Sequence, residues 1–327
     1  MQQHFFPAAR RASAIGFLTA LTALMAFMAA LPGSGAAHGF EGDYFFPPTI
    51  QTDDPFATDE LITTIQSFKN AAVPGEPRAR QVDIGTEFDK EIFPGFSLGV
   101  TETYTNLKPD ANFGLASASG FQNTSLSAKY QLWESPAHQW IFSIGGEVDL
   151  GGTGSRSLGE DPFSTYTPAV YFGKAFGDLP ASLRYLRPFA VTGTAGYELP
   201  SEGVAQNGLA WGLALEYSLP YLQHNVEDIG LPVPLRNLIP LVEFSMETPL
   251  NGNGGNATAT TGTVSPGVLW ESKYCQLGAE AVIPVNQASG HEVGCVFQVS
   301  LFIDDLLPKV FGHPLFGGEK AAASSDK

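Results

Sequence analysis

The most constraining feature of this sequence is a two-residue alternation of apolar with small or polar side chains, sustained over stretches of about ten residues. In the clearest stretch, Leu209 to Leu219, Leu, Trp and Tyr occupy every second position, with Ala, Gly, Glu and Ser between them. Because successive side chains of a β-strand point to opposite faces, such a stretch predicts a strand with one apolar and one polar face.

Twelve such stretches follow one another through most of the chain. They are residues 59–69, 79–91, 95–106, 121–134, 138–151, 164–176, 183–199, 207–219, 238–249, 258–272, 274–286 and 292–304. None of the connections carries the helical pattern of the crossovers that join parallel strands. The sequence therefore predicts an all-β, up-and-down antiparallel β-barrel of about twelve strands.

Such a barrel is either soluble, with its apolar face inside, or transmembrane, with its apolar face against lipid. Most of the stretches reach ten residues, and a tilted strand needs roughly 9–11 residues to cross a bilayer. Aromatic residues such as Trp133, Trp140, Trp270 and Tyr274 lie at predicted strand ends, where interfacial aromatic girdles occur. These features favour a transmembrane barrel in contact with outer-membrane lipid.

The connections differ between the two ends of the predicted barrel. Those at one end, such as residues 107–120 and 152–163, are long and polar, whereas several at the other end, such as residues 94–95 and 135–137, are short. Long outer loops and short periplasmic turns are typical of the bacterial outer membrane, although residues 220–237 form a long link on the predicted periplasmic side. The stretch Glu292 to Val299 resembles the signal read by the outer-membrane assembly machinery, which we expect as a partner.

The amino terminus predicts export. Arg10 and Arg11 precede the apolar stretch Ala14 to Leu31, and Pro32 and several small residues follow it. This pattern predicts a signal peptide over residues 1–37, with an uncleaved membrane anchor as the alternative. The predicted organisation is then a periplasmic amino-terminal segment or plug over residues 38–57, the barrel over 58–304 and a carboxy-terminal tail over 305–327.

The charge of the chain bears on its partners. It contains 33 acidic and 17 basic residues, which gives a net charge of −16. This balance repels phosphate backbones, so we expect no nucleic-acid partner. Alternation places a set of charged side chains towards the lumen: Asp83, Glu87, Asp89, Lys129, Glu147, Asp149, Glu216, Glu243, Glu247 and Glu280.

Two interpretations of this charged inner face stay open. The carboxylates could line a wet lumen that excludes anions and passes neutral or cationic solutes. Alternatively, they could form networks with Lys129 that fill a narrow barrel. The sequence indicates neither a cofactor nor a metal site.

Two further expectations concern reactive side chains. A hairpin centred near Ser289 would pair Cys275 near Ile303 and Cys295 near Ile283, too far apart for a disulfide, which predicts two free, lipid-facing cysteines. Outer-membrane phospholipases use Ser and His near the outer rim, and Ser289 and His291 are the corresponding pair here. No third orienting residue can be assigned, so we expect no enzymatic activity, with lipid hydrolysis as the least favoured alternative.

Several motifs carry a family resemblance. Asp53-Asp54-Pro55, the strand Thr58 to Phe68, the run Gly120 to Gln131 and the block Gly145 to Gly152 resemble bacterial outer-membrane proteins grouped as transporters of the phenol-degradation meta-pathway. The resemblance covers nearly the whole exported chain. It implies an outer-membrane barrel that passes hydrophobic or aromatic compounds, and it supplies no residue-level catalytic or binding motif.

The leading hypothesis is therefore an outer-membrane channel or transporter for a small, uncharged solute. Residues 38–54, which include Phe40, Tyr44, Phe45 and Phe46, are a candidate lumen plug. The alternative, from a different class, is a structural or surface-display barrel whose lumen is permanently plugged.

Overall fold

The computed structural model describes residues 46–69, 79–110, 116–203, 205–250, 259–308 and 310–317. The predicted signal peptide and the first residues of the candidate plug lie outside the described residues. Within the described residues, no helix is long and apolar enough to cross a bilayer.

Thirteen strand segments account for most of the described chain. They are β1 (Glu60–Lys69), β2 (Ala79–Phe93), β3 (Phe96–Pro109), β4 (Ala118–Phe121), β5 (Ser125–Ser135), β6 (Trp140–Asp149), β7 (Thr165–Ala175), β8 (Phe189–Pro200), β9 (Gly208–Tyr217), β10 (Leu238–Pro249), β11 (Thr261–Glu271), β12 (Cys275–Pro284) and β13 (Gly294–Phe302).

The strands close into one antiparallel barrel. Neighbours along the chain pair with one another, and β13 returns to pair with β1, with Phe302 opposite Glu60. The predicted strand 121–134 is divided in two. β4 pairs with residues 104–107 of β3, and β5 pairs with residues 96–101 of the same strand. β4 and β5 together therefore occupy one strand position in the barrel. The fold is thus the predicted twelve-stranded up-and-down barrel.

The two faces of the wall distinguish a membrane barrel from a soluble one. Large apolar side chains on the outward face are exposed, among them Ile84, Leu98, Leu126, Ile144 and Leu213. The inward face carries buried polar side chains, including Ser143, Thr192, Gln276 and Ser300. A soluble barrel would bury its apolar face because each Å² of exposed apolar surface costs roughly 25 cal/mol in water. The reversed arrangement identifies a transmembrane barrel, as predicted.

Both described chain ends lie at the same end of the barrel, where β1 begins and β13 ends. We call this the terminal end, and the opposite end the loop end. The terminal end includes the tight turn at Pro94-Gly95, where Gly95 has a φ of 75° that favours glycine. The long link at residues 218–237 is also at this end, and it forms three short helical turns, Leu219–Tyr221, Leu222–Val226 and Val233–Arg236.

One predicted strand starts too early. The prediction began at residue 183, but Ala181–Leu186 forms a 3-10 helix and β8 begins at Phe189. Pro180 and Pro188 bracket this turn, and neither has an N–H group to donate to a neighbouring strand. The alternation there was a coincidence of side chains on a helical turn.

Both cysteines are free, as predicted. Cys275 pairs with Leu301 and Cys295 with Ala281, two residues from the predicted partners. The prediction that Cys275 faces lipid is wrong. Its side chain is buried, and its sulfur lies 3.3 Å from the Ser272 hydroxyl in the adjoining turn.

Candidate functional site: the barrel lumen

The chain that precedes β1 lies inside the barrel. Residues 46–58, which we call the inserted segment, run from the terminal end to the middle of the lumen and back. At the terminal end, the rings of Phe46 and Phe56 are 5.0 Å apart and pack against Ile141, Ala175 and Ala190 of the wall. The segment contacts strands from opposite sides of the barrel, a position that only the interior allows.

The composition of the inserted segment explains why it does not join the sheet. Pro47, Pro48 and Pro55 lack N–H groups, so this stretch cannot form a regular ladder with a neighbouring strand. Its backbone groups still need hydrogen-bond partners once they are away from water. The barrel supplies those partners from inward-facing side chains.

A single carboxylate holds the tip of the inserted segment. Glu243 of β10 is fully buried, and it accepts hydrogen bonds from three consecutive backbone N–H groups. Its Oε1 accepts from Ile50 at 2.6 Å, and its Oε2 accepts from Gln51 at 2.9 Å and Thr52 at 2.6 Å. Hydrogen bonds to a charged group contribute roughly 1.5–3 kcal/mol each, so Glu243 is a strong anchor.

The opposite wall holds the returning arm through Lys129 of β5. Its ammonium group donates to Asp53 Oδ1 at 2.7 Å and to the Asp54 carbonyl at 2.6 Å. The same group lies 4.9 Å from the centre of the Tyr171 ring. Gln131, two residues further along β5, accepts from the Ala57 N–H at 2.9 Å.

Amide and hydroxyl side chains satisfy the carbonyls of the segment. Gln276 donates to the Pro48 carbonyl at 2.8 Å, and Gln298 donates to the Thr49 carbonyl at 3.2 Å. The Ser143 hydroxyl donates to the Pro55 carbonyl, and Gln51 donates to Glu280 Oε2 at 2.7 Å. The segment is therefore tied to β5, β6, β10, β12 and β13.

Beyond the tip, towards the loop end, the described residues enclose an acidic space in the lumen. Two adjoining cavities of about 530 and 270 Å³ share Gln51, Glu198 and Met246 in their walls. Pockets for small molecules usually have about 300–1,000 Å³. We call this space the chamber; its carboxylates belong to Asp53, Glu147, Asp149, Glu198 and Glu247. Its lining is polar enough to be wet.

The ten side chains predicted to face the lumen fall into groups. All of them lie on the strand face that contacts the inserted segment or lines the chamber, by the register of their strands. Lys129, Glu243 and Glu280 bind the segment; Glu147, Asp149 and Glu247 line the chamber; Asp83, Glu87 and Asp89 lie on β2; and Glu216 is buried at the terminal end of β9. Whether they contact a solute stays a prediction.

Sequence reasoning missed several side chains of this site. Gln131, Gln276 and Gln298 were on the polar face by alternation, but only their contacts with the segment give them a role. Glu198 is also missing from the predicted set of lumen-facing residues, although alternation within β8 places it on the inner face. The prediction named only charged inward residues, which leaves out the three glutamines but does not account for Glu198.

Asp54, in the inserted segment, has a raised pKa. Burial raises the pKa of Asp54 to about 6, although the nearby positive charge of Lys129 opposes the rise. Asp54 Oδ1 also accepts a hydrogen bond from the Phe56 N–H at 2.7 Å. This carboxyl therefore changes its charge close to neutral pH.

The geometry around Ser289 does not support the hydrolase alternative. The Ser289 hydroxyl donates to Asn286 Oδ1 at 2.9 Å and accepts from the Gly262 N–H at 2.8 Å. In the part of the chain that the structure describes, no hydrogen bond joins Ser289 to His291. Nor does any group of three or more His, Cys, Asp or Glu side chains among these residues have an arrangement that could hold a metal ion.

The fold and its lumen define a transmembrane β-barrel that contains part of its own chain. No protein-family model and no curated protein matches the sequence. Among solved structures, an outer membrane channel from Pseudomonas putida F1 is similar over 78% of this chain and 98% of that chain, with 11% identity and a TM-score of 0.49.

Two porins have a similar fold. The NanC porin is 8% identical, with a TM-score of 0.44 over 75% of this chain and 98% of that one. The KdgM porin, in complex with disordered oligogalacturonate, is 10% identical, with a TM-score of 0.42 over 74% and 96%. At such identities the similarity concerns the fold alone, and the resemblance to the meta-pathway transporters stays a prediction.

Proposed function

We propose that this protein is a channel for small neutral or cationic solutes, closed by its own inserted segment. The observation that carries the proposal is the combination of an acidic chamber of solute size with a segment that fills the lumen below it. The segment is not a strand of the wall. It can therefore leave the lumen while all twelve strand pairings of the barrel persist.

The attachment of the segment supports a movable element. Phe46 to Thr58 joins the wall covalently only at β1, and side chains make its other polar contacts. If the signal peptide is cleaved after Ala37, the upstream end is a free amino terminus. Withdrawal through the terminal end would then expose the chamber to both sides of the membrane.

The charge of the inner face supports the choice of solute. Lys129 is paired with Asp53, whereas Glu147, Asp149, Glu198 and Glu247 line the chamber without a basic side chain among its lining residues. Carboxylates in a confined lumen repel anions and attract cations. A solute with an aromatic or hydrophobic part is a further expectation, supported by the family resemblance.

We place the protein in the bacterial outer membrane, with the terminal end in the periplasm. The exposed apolar face, the predicted signal peptide and the position of both described chain ends support this orientation. The assembly machinery of that membrane would insert the barrel.

Conductance in planar bilayers tests the proposed function. We expect the full chain to be closed most of the time and a chain that lacks residues 38–54 to conduct continuously with a preference for cations. A chain in which a Gly-Ser linker of equal length replaces residues 38–54 is the control for chain length. It should also conduct if the contacts close the lumen. Equal, negligible conductance of all three chains would contradict a channel.

A plugged structural barrel is the second candidate, and the many ties to the inserted segment favour it. The two candidates differ in the behaviour of the full chain. A channel should show rare openings and measurable uptake of small aromatic cations or neutral compounds into liposomes, whereas a structural barrel should show neither.

A further inference from the structure

The carboxy-terminal tail makes a second surface, separate from the lumen. After β13 the chain forms a short helix at Ile303–Leu306 and continues along the terminal end of the barrel to residue 317. It returns to the outward face of β2. Phe311 packs against Phe88 with ring centres 6.1 Å apart, and Phe316 packs against Phe93 at 5.7 Å.

Backbone hydrogen bonds fix the tail in this position. The N–H of Leu315 donates to the Glu91 carbonyl at 3.1 Å, and the N–H of Phe316 donates to the Ile92 carbonyl at 2.8 Å. The tail is thus hydrogen-bonded to the last residues of β2.

The tail covers a charged side chain on the outward face. Lys90 pairs across the sheet with Leu98, whose side chain is exposed on the lipid-facing side. The Lys90 ammonium group donates to Asp59 at 2.6 Å and to the carbonyl of His313 in the tail at 2.9 Å. Only 14% of its side chain is exposed. A cation on the lipid face of a barrel costs up to about 2–4 kcal/mol at mid-bilayer and less near the interface, so this cover reduces the cost.

The other side of the tail is apolar and uncovered. Its exposed large side chains are Leu306, Leu307, Val310, Leu315 and Phe316, with 45–59% of their surfaces accessible. Phe316 packs against Phe93, whose exposed ring continues the apolar outward face of β2 and β3 at the terminal end. Because this apolar patch is continuous with a lipid-facing band, we expect it to contact lipid as well.

We propose that residues 306–316 form a membrane-contact surface, in which these five apolar side chains bind the acyl chains and headgroup region of phospholipids at the terminal end of the barrel. The tail is then an interfacial anchor, docked on β2 through Phe88, Lys90 and Phe93. This inference does not depend on channel activity.

Fluorescence in lipid nanodiscs that hold one barrel each tests the proposal. Val310→Cys and Phe316→Cys would be made separately in the full chain with Cys275→Ala and Cys295→Ala, and labelled with bimane. Ser157→Cys, in a polar connection at the loop end, is the matched control. Heat-modifiable migration on a gel confirms folding of each variant.

We expect nitroxide-labelled phospholipids to quench bimane at positions 310 and 316 at least about threefold more strongly than at position 157. Equal quenching at all three positions would overturn the proposal. If positions 310 and 316 were shielded from water only in discs that hold two barrels, the occupant of this surface would be a second copy of the chain. That result would also overturn the proposal.

A second measurement keeps the native cysteines. Cys275 is buried, so a charged, water-soluble thiol reagent reports on the introduced thiols once the signal of the unsubstituted chain is subtracted. Val310→Cys and Phe316→Cys should react at least about tenfold more slowly in nanodiscs than Ser157→Cys. Equally fast reaction would show that the tail faces water.

Discussion

Glu243 of β10 accepts a 2.6 Å hydrogen bond from the backbone N–H of Ile50, which precedes it by 193 positions in the chain. The same carboxylate accepts from the next two N–H groups, so three consecutive donors converge on one anion. The closed position of the inserted segment therefore depends strongly on a single side chain of the wall.

Glu243→Gln should loosen the inserted segment. The amide keeps one acceptor oxygen but loses the charge, and buried N–H groups left without a partner cost roughly 1–3 kcal/mol each. We expect the open probability in planar bilayers to rise at least about tenfold, since about 1.4 kcal/mol corresponds to a factor of ten.

Glu247→Gln is the matched control for that substitution. Glu247 lies on the same face of the same strand and lines the chamber beyond the tip of the segment. Its substitution should leave the open probability within about twofold of that of the unsubstituted protein. Equal effects of both substitutions would indicate that net lumen charge, and not the anchor, sets the closed state.

Glu147→Gln combined with Asp149→Asn should weaken the preference for cations. Both carboxylates line the chamber, so their removal lowers the negative potential that a solute meets there. In the chain that lacks residues 38–54, the zero-current potential in a KCl gradient should move towards zero, with at least a roughly twofold fall in the cation-to-anion permeability ratio. Glu227→Gln removes one charge at the terminal end outside the lumen and should change the ratio much less.

Gly173→Ala should release the base of the inserted segment. A Cβ atom at Gly173 would overlap the Phe46 ring, which is fully buried and cannot move aside without leaving its pocket. Overpacking of this kind costs about 1–3 kcal/mol. Hydrogen exchange of a peptide that covers residues 46–58 should become faster, whereas Gly203→Ala, with no atom near its new methyl group, should leave the exchange unchanged.

Asp54→Asn should reduce the pH dependence of the closed state. Burial raises the pKa of Asp54 from 3.8 to about 6 when the segment is docked, so docking is favoured below about pH 4 and is weakened as the pH rises through 6. The rise corresponds to at most roughly 3 kcal/mol. Hydrogen exchange of residues 46–58 should accelerate between pH 4.5 and 7.5, after correction for the intrinsic rate, and less so in Asp54→Asn. The same pH dependence in both proteins would assign it to other groups.

The wall of the barrel could be predicted from sequence because its information is local. Alternation at Leu209 to Leu219 identifies strand and face together, and the same rule places Glu243 and Lys129 on the inner face. The rule failed at residues 183–186, where two prolines stop the ladder, and at residues 122–124, where one predicted strand is interrupted.

The contents of the lumen could not be predicted in the same way. The sequence indicated that an aromatic and proline-rich segment precedes β1, and its prolines explain why that segment forms no ladder. Its docking site depends on side chains such as Glu243, Gln276 and Gln298, which lie about 190–250 residues away. Such contacts leave no periodic signal in the sequence.

The sequence by itself determined a twelve-stranded barrel, its two faces and its acidic lumen, because a two-residue period fixes the orientation of every side chain on a strand. Only the tertiary structure decided which inner side chains hold the inserted segment, which ones line the chamber, and that the tail covers Lys90 on the outer face. The physical reason is closure of the barrel. Closure brings β5, β10 and β13 around one axis, and side chains far apart in the chain then supply hydrogen-bond partners to a segment without its own ladder.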